Sequence, residues 1–140
     1  MKNTRGFTLI ELMAVIAIAI TLLAAAVPYL LRARRSANQS SSIQSLRTIW
    51  TAEEIYRGKH QVYGQLTDLH TEGVIDANLG AGSHSLYAFT VTPNFAGTAW
   101  TGTASPQEDP AMMYYFVDDS GVIRQNPGAP ADATSPPVGN

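Results

Sequence analysis

At 140 residues with a formal net charge of −2, the chain is one domain with at most one appended element, and its charge gives no basis for nucleic-acid binding. It has no cysteine, which excludes a disulfide framework and thiol chemistry. The hydrophobic residues, 45% of the total, are concentrated in one place: Phe7 to Leu31 carries Glu11 as its only charge and Thr8 and Thr21 as its only aliphatic hydroxyls.

In chain order, residues 1–6 form a short basic leader with Lys2 and Arg5. The apolar run 7–31 then reads as a membrane-crossing helix, since its length of roughly 37 Å exceeds a hydrocarbon core of about 30 Å. Pro28 removes a backbone donor and crowds the preceding turn, which predicts a bend between Ala24 and Pro28. Ala17, Thr21 and Ala25 recur every four residues, a small-residue row that lets helices approach closely. Lys2 and Arg5 argue for a cytoplasmic N-terminus while Arg32, Arg34 and Arg35 argue the reverse, so charge counting leaves the orientation open.

Glu11 is the anomaly. An ionised carboxylate in a bilayer costs on the order of 3 kcal/mol on the mildest scale, so an intramembrane acid is a functional hypothesis by default. Placement in the first helical turn offsets part of that cost through the helix macrodipole. Two ordinary readings exist beside a functional one: a plain single-pass anchor, and a secretory signal cut after Ala24-Ala25-Ala26. The length of the apolar run and the acid inside it weaken the secretory reading.

Residues 32–58 continue the helix in amphipathic form, with Ile43, Leu46, Ile49, Trp50, Ile55 and Tyr56 at three- and four-residue steps. The pattern predicts one helix from Phe7 to Arg57 that stops at Gly58, with an exposed or weakly helical stretch over Arg32 to Ser42. Glu53 and Arg57, four apart, form a surface pair.

Residues 59–125 supply a sheet to cover that helix. A short helix over Asp68 to Glu72 is capped by Thr67 and ended by Gly73. Leu86 to Thr92 alternates as a half-buried strand, Ala96 to Thr101 is a weaker strand, and Met112 to Val117 is the strongest. Asp118 to Gly121 is a tight turn into a strand over Val122 to Arg124. The fold class is α+β, one long helix packed on three or four antiparallel strands. Residues 126–140, rich in proline and glycine, read as an extended or disordered tail.

Chemistry-bearing constellations are sparse. His60, His70 and His84 are scattered, and Ser83-His84-Ser85 lies beside Gly80 and Gly82 as a loop. Glu108 and Asp109 with Asp118 and Asp119 are weak calcium candidates, better read as turn acids, so no metal and no cofactor is expected. Asn38-Gln39-Ser40 matches a glycosylation sequon.

The stretch Gly6-Phe7-Thr8-Leu9-Ile10-Glu11-Leu12 resembles the class III signal of type IV prepilins and pseudopilins, and Pro28 sits where many members carry proline. The resemblance covers residues 1 to about 35 and implies the pilin fold and a structural, non-enzymatic subunit. It implies cleavage by a prepilin peptidase between Gly6 and Phe7 and N-methylation of Phe7. Cleavage removes Lys2 and Arg5, leaving seven of the nine basic residues against eleven acidic ones, a net charge of −4. In a homo-oligomeric helical filament the Glu11 carboxylate would meet the Phe7 amine of a neighbouring subunit and set the register. The implied partners are lipid before assembly, and an inner-membrane platform with a cytoplasmic ATPase. The implied location is the bacterial inner membrane with the N-terminus cytoplasmic, then an extracellular or periplasmic filament. A type II secretion pseudopilin or minor pilin stands beside this reading. The major-pseudopilin calcium motif is not matched. With no cysteine to close the C-terminal loop, something else must pin the last strands.

Overall fold

The computed structural model describes residues 6–139, so most of the leader, Met1 to Arg5, and the last tail residue lie outside the described residues. The chain divides into two compact units between Ser36 and Ala37. Helix α1, Leu9–His60, contributes to both.

In the first unit the helix runs through Pro28 without a break, and its large apolar side chains are all exposed. The stretch is long and apolar enough to cross a membrane.

The second unit is the globular head. Helix α1 gives it a stripe of buried residues, Ser42, Ser45, Leu46, Ile49, Ala52 and Glu53, at helical spacing. Two short helices follow, α2 over Leu66–Thr71 and α3 over Ala77–Gly80. Five strands, β1 Ser83–His84, β2 Tyr87–Pro93, β3 Trp100–Pro106, β4 Met113–Asp118 and β5 Arg124–Pro127, form an antiparallel meander in chain order. The arrangement is the expected α+β one, with five strands in place of three or four.

The sheet's inner face explains the register. Phe89 pairs with Ala104 and Ala104 with Tyr115; Val91 pairs with Gly102 and Gly102 with Val117. Strand β3 thus offers small residues between large neighbours, and the Trp100 ring lies over the space a Gly102 side chain would need, 2.8 Å from an added Cβ. These side chains join Leu46, Ile49, Leu69 and Leu79 in one core.

Several local expectations are corrected. The helix does not stop at Gly58 but runs to His60, where Tyr56 stacks on the His60 ring at 4.2 Å and Lys59 and His60 both reach Glu72. Its terminus is Gln61, which takes a left-handed φ of 62°. Arg32 to Ser42 is fully helical, not weakly so, and is exposed as expected over Arg32 to Ala37. Ile55 faces outward, because the buried stripe turns to Ala52 and Glu53.

Gln65, not Thr67, caps α2; its N–H donates to Asp68 Oδ2 at 2.8 Å, while Gly73 closes the helix as expected. Asp76 caps α3, accepting from the Asn78 and Leu79 N–H groups. Ser83 and His84 are a strand, not a loop, paired to β2 through a two-residue turn. The weaker strand begins at Trp100, since Asn94 to Thr98 forms a turn in which the Asn94 side chain accepts from the Thr98 N–H at 2.8 Å. Asp118 to Gly121 turns as expected, Gly121 donating to the Asp118 carbonyl at 3.0 Å, but the strand it leads to starts at Arg124.

The tail is neither extended away nor disordered. Gln125 N–H donates to the Pro136 carbonyl at 2.9 Å, and Val138 N–H to the Ile123 carbonyl at 2.9 Å. Arg124 Nη1 donates to the Ser135 carbonyl at 3.0 Å. Asp132 Oδ1 gathers the Thr134 and Ser135 N–H groups and hydroxyls into a turn, with Ala131 and Ser135 buried beneath. This closure does the pinning that a disulfide would otherwise do.

Candidate assembly site

The residues singled out at the N-terminus occupy a distinct local geometry. Gly6, Phe7 and Thr8 precede the helix and are exposed, so the peptide bond between Gly6 and Phe7 lies in irregular, accessible backbone. An added Cβ on Gly6 would meet nothing within 4 Å, so intramolecular packing does not require glycine there. A requirement for glycine would come from outside the chain. Phe7 is 77% exposed.

Glu11 closes a capping box with Thr8. Its Oε2 accepts from the Thr8 N–H at 2.9 Å and the Thr8 hydroxyl at 2.7 Å, and its own N–H donates to Thr8 Oγ1 at 3.3 Å. The Thr-x-x-Glu spacing that signals this box stands in the sequence, and the reading of Glu11 as an isolated acid passed over it. Glu11 therefore has a local role in starting the helix, in addition to any role between subunits. Thr21, in the middle of the small-residue row, donates to the Ala17 carbonyl at 2.8 Å and so satisfies its hydroxyl within the helix.

The apolar surface is the dominant physical fact of this segment. From Phe7 to Leu31 its large side chains are exposed, and a patch of this extent requires lipid or neighbouring helices as cover. Within the span, Glu11 is the only acid, and it is engaged by the capping box.

In the head, the other candidates are structural. Asp118 Oδ1 accepts from the Ser120 N–H at 3.0 Å and from its hydroxyl, and Asp109 Oδ1 accepts from the Ala111 N–H at 3.0 Å. Both are turn acids. Among the described residues no three acidic or histidine side chains gather as a metal site. His60 joins Lys59 on Glu72, whose carboxyl these partners hold below the usual range, with the Lys59 hydrogen bond the largest cause. His70 approaches the Ile75 carbonyl at 3.4 Å. Glu53 does not pair with Arg57. Arg57 instead donates to the Tyr63 hydroxyl at 2.9 Å, and that hydroxyl donates to Glu54 at 3.0 Å.

The sequence pattern of the prokaryotic N-terminal methylation motif matches residues 1–27. Among characterised proteins, the type IV wide pilus major component PilA4 of Thermus thermophilus is 41% identical over 63 residues, covering 45% of this chain and 48% of that protein. The matched part thus spans about half the length of this relative. No solved structure matches the chain. The chain carries the methylation motif, and its likeness to type IV pilins rests on that motif together with the PilA4 match.

Proposed function

We propose that the chain is the structural subunit of a type IV pilus or pilus-like filament, cut between Gly6 and Phe7, methylated on Phe7 and polymerised through its N-terminal helix. The observation that carries this reading is the combination, at the start of an apolar helix with no internal cover, of an accessible Gly6–Phe7 bond and a single acid at Glu11. Cleavage creates an amine on Phe7. In low dielectric an unpaired charge is costly, so a filament in which Glu11 of one subunit meets Phe7 of another disfavours misregister.

Before assembly the same helix holds the precursor in the inner membrane, with a peptidase acting on the leader side and an ATP-driven platform adding subunits. The methylation motif and the apolar helix together support a membrane-anchored precursor and homo-oligomeric assembly. The role is structural, and no catalytic step is assigned to any residue.

The experiment is mass spectrometry of the mature protein with identification of its first residue. The expected result is a chain that begins with N-methyl-Phe7. A chain beginning at Val27 would mean release by an ordinary signal peptidase and a secreted binding protein instead.

A further inference from the structure

We propose that the open edge of strand β2 at Val91 is a slot that takes an extended, basic peptide of a partner protein as an added strand. The inference concerns the head alone and goes beyond the filament reading. Strand β1 covers only the first half of β2: Ser83 and His84 pair with Ala88 and Tyr87, and the Phe89 N–H donates to the Gly82 carbonyl at 2.8 Å. Backbone groups alternate sides along an antiparallel strand. At the two ends of β2, the Leu86 carbonyl accepts from the Gln107 N–H at 2.9 Å and the Asn94 N–H donates to the Ala99 carbonyl at 2.8 Å, both toward the β3 side. Even-numbered residues of β2 therefore face β3, and odd-numbered ones face the β1 side. Val91 is an odd position past the end of β1, so its N–H and C=O point out of the sheet edge.

Val91 is nevertheless only 8% exposed, and neither backbone group has a partner among the described residues. Buried backbone groups are almost always paired, so an open donor and acceptor side by side suit a second backbone. Space for one is present. Two cavities, of about 580 and 220 Å³, share Val91 and Gln65 in their walls, and a chain laid along the gap between β2 and α2 would occupy both. Pro93 has no N–H to offer, which confines pairing to Val91 and prevents open-ended sheet growth.

Side chains of the larger cavity select the peptide. Asp68 and Phe95 both line it. Asp68 Oδ2 accepts the Gln65 N–H at 2.8 Å, while Oδ1 takes no hydrogen bond from the described residues. Phe95 is fully exposed on a turn held from two sides: the Asn94 side chain bonds Thr98, and the Tyr63 N–H donates to the Gly97 carbonyl at 3.0 Å. A carboxylate and an uncovered ring on one cavity suit a Lys or Arg side chain, through an ion pair and a cation–π contact.

The test is an NMR titration of the isotope-labelled full-length chain in detergent micelles. The probe is a capped heptapeptide with lysine at its centre and threonine and valine alternating on either side. It should move the Val91 amide signal downfield and slow the exchange of that amide with solvent. The same peptide methylated on its central amide nitrogens keeps its side chains but cannot pair as a strand, and should bind roughly tenfold more weakly. A glutamate-centred peptide should also lose roughly tenfold, and Asp68→Asn, which keeps an acceptor for Gln65, should narrow that difference. No response at Val91 at millimolar peptide would overturn the slot, as would equal binding of the methylated peptide. Equal binding of the lysine and glutamate peptides would overturn its basic preference. A mature chain starting at Val27 would remove the filament reading and leave these outcomes unchanged, so the two fail separately.

Discussion

The Gly64 N–H donates to Oε2 of Glu53 at 3.0 Å in the interior of the head, where Glu53 is fully buried. The other carboxylate oxygen, Oε1, has no hydrogen-bond partner among the described residues. This bond returns the segment after α1 onto the helix it has just left. Gly64 also fits closely, since an added Cβ would lie 3.0 Å from the Tyr56 ring and 3.2 Å from Asp68 Cβ. A buried acid with one oxygen unpaired is destabilising when ionised, so this joint is sensitive to pH.

Burial, the largest cause, lifts the Glu53 carboxyl from 4.5 to about 7, opposed by the Gly64 bond and aided by Asp68 and Glu54. The folded head thus holds the proton more tightly than the unfolded chain does. The resulting stability is complete below pH 4.5 and is lost as pH rises through 7. The loss is on the order of 3 kcal/mol. Glu72, Asp76 and Asp132, whose carboxyls are all held below their ordinary values, are already ionised through this window. Glu53→Gln keeps an acceptor for Gly64 and removes the charge. Thermal melts of the full chain in detergent should show the variant gaining several degrees on the wild type between pH 5 and pH 8. A gap that does not change with pH would show that the acid titrates normally.

Ser85 and Leu86 join β1 to β2 with φ of 50° and 64°, a left-handed pair in a two-residue hairpin turn. Ser85 is retained by its hydroxyl contact with Ser41 at 2.8 Å, but Leu86 is 42% exposed and offers little in return for its strain. Leu86→Gly should therefore stabilise the head by about 1 kcal/mol, read as a higher urea midpoint with an unchanged slope. A lower midpoint would mean that the Leu86 side chain packs more than its exposure indicates.

The legible and illegible parts of the chain divide along physical lines. The N-terminal segment was legible because Gly6, Phe7 and Glu11 are chemically distinctive at fixed spacing, and because a long apolar run has few uses. Strands β2 and β4 announced themselves through Tyr87, Phe89, Tyr115 and Val117. Strand β3 did not, because Gly102 and Ala104 are small so that Trp100 and the flanking strands can fill the space. The β1–β2 hairpin was hidden by Ser-Leu where a turn of this type favours Asn-Gly. Closure of the tail depends on backbone bonds and on Asp132, which proline and glycine content cannot reveal. Glu53 read as a surface acid because its burial is set by the loop carrying Gly64, eleven residues away.

In the N-terminal unit, the two roles of Glu11 can be separated. Glu11→Gln preserves an oxygen that can accept from the Thr8 N–H and hydroxyl but removes the negative charge, whereas Glu11→Ala removes both. If pairing with Phe7 sets register, both variants should be cleaved normally and both should assemble at least tenfold fewer filaments. If helix capping is the whole role, the glutamine variant should assemble almost as well as wild type and only the alanine variant should fail. Sheared-filament yield, normalised to cleaved subunit, decides between them.

The tail allows the last test. Phe116 is buried yet lies outside the core shared by α1 and the inner sheet face, and its β-pair partner Arg124 bridges onward to Pro137. The returning chain therefore secures the β4–β5 edge, through the Pro136 and Ser135 carbonyls and the buried Ala131. Ending the chain at Gly128 removes those acceptors and leaves the Arg124 side chain without its carbonyl partner. Exposing one large apolar side chain costs about 1.5–3 kcal/mol, and each net hydrogen bond adds about 1 kcal/mol. The truncated chain should melt at least 5–10 °C lower, a size set by the usual shift per kcal/mol. Protease should cut it first between Val122 and Pro127, where β5 loses its outer neighbour. The N-terminal helix is untouched, so cleavage after Gly6 should proceed as before. An unchanged melting temperature would show that the tail lies on the head without stabilising it.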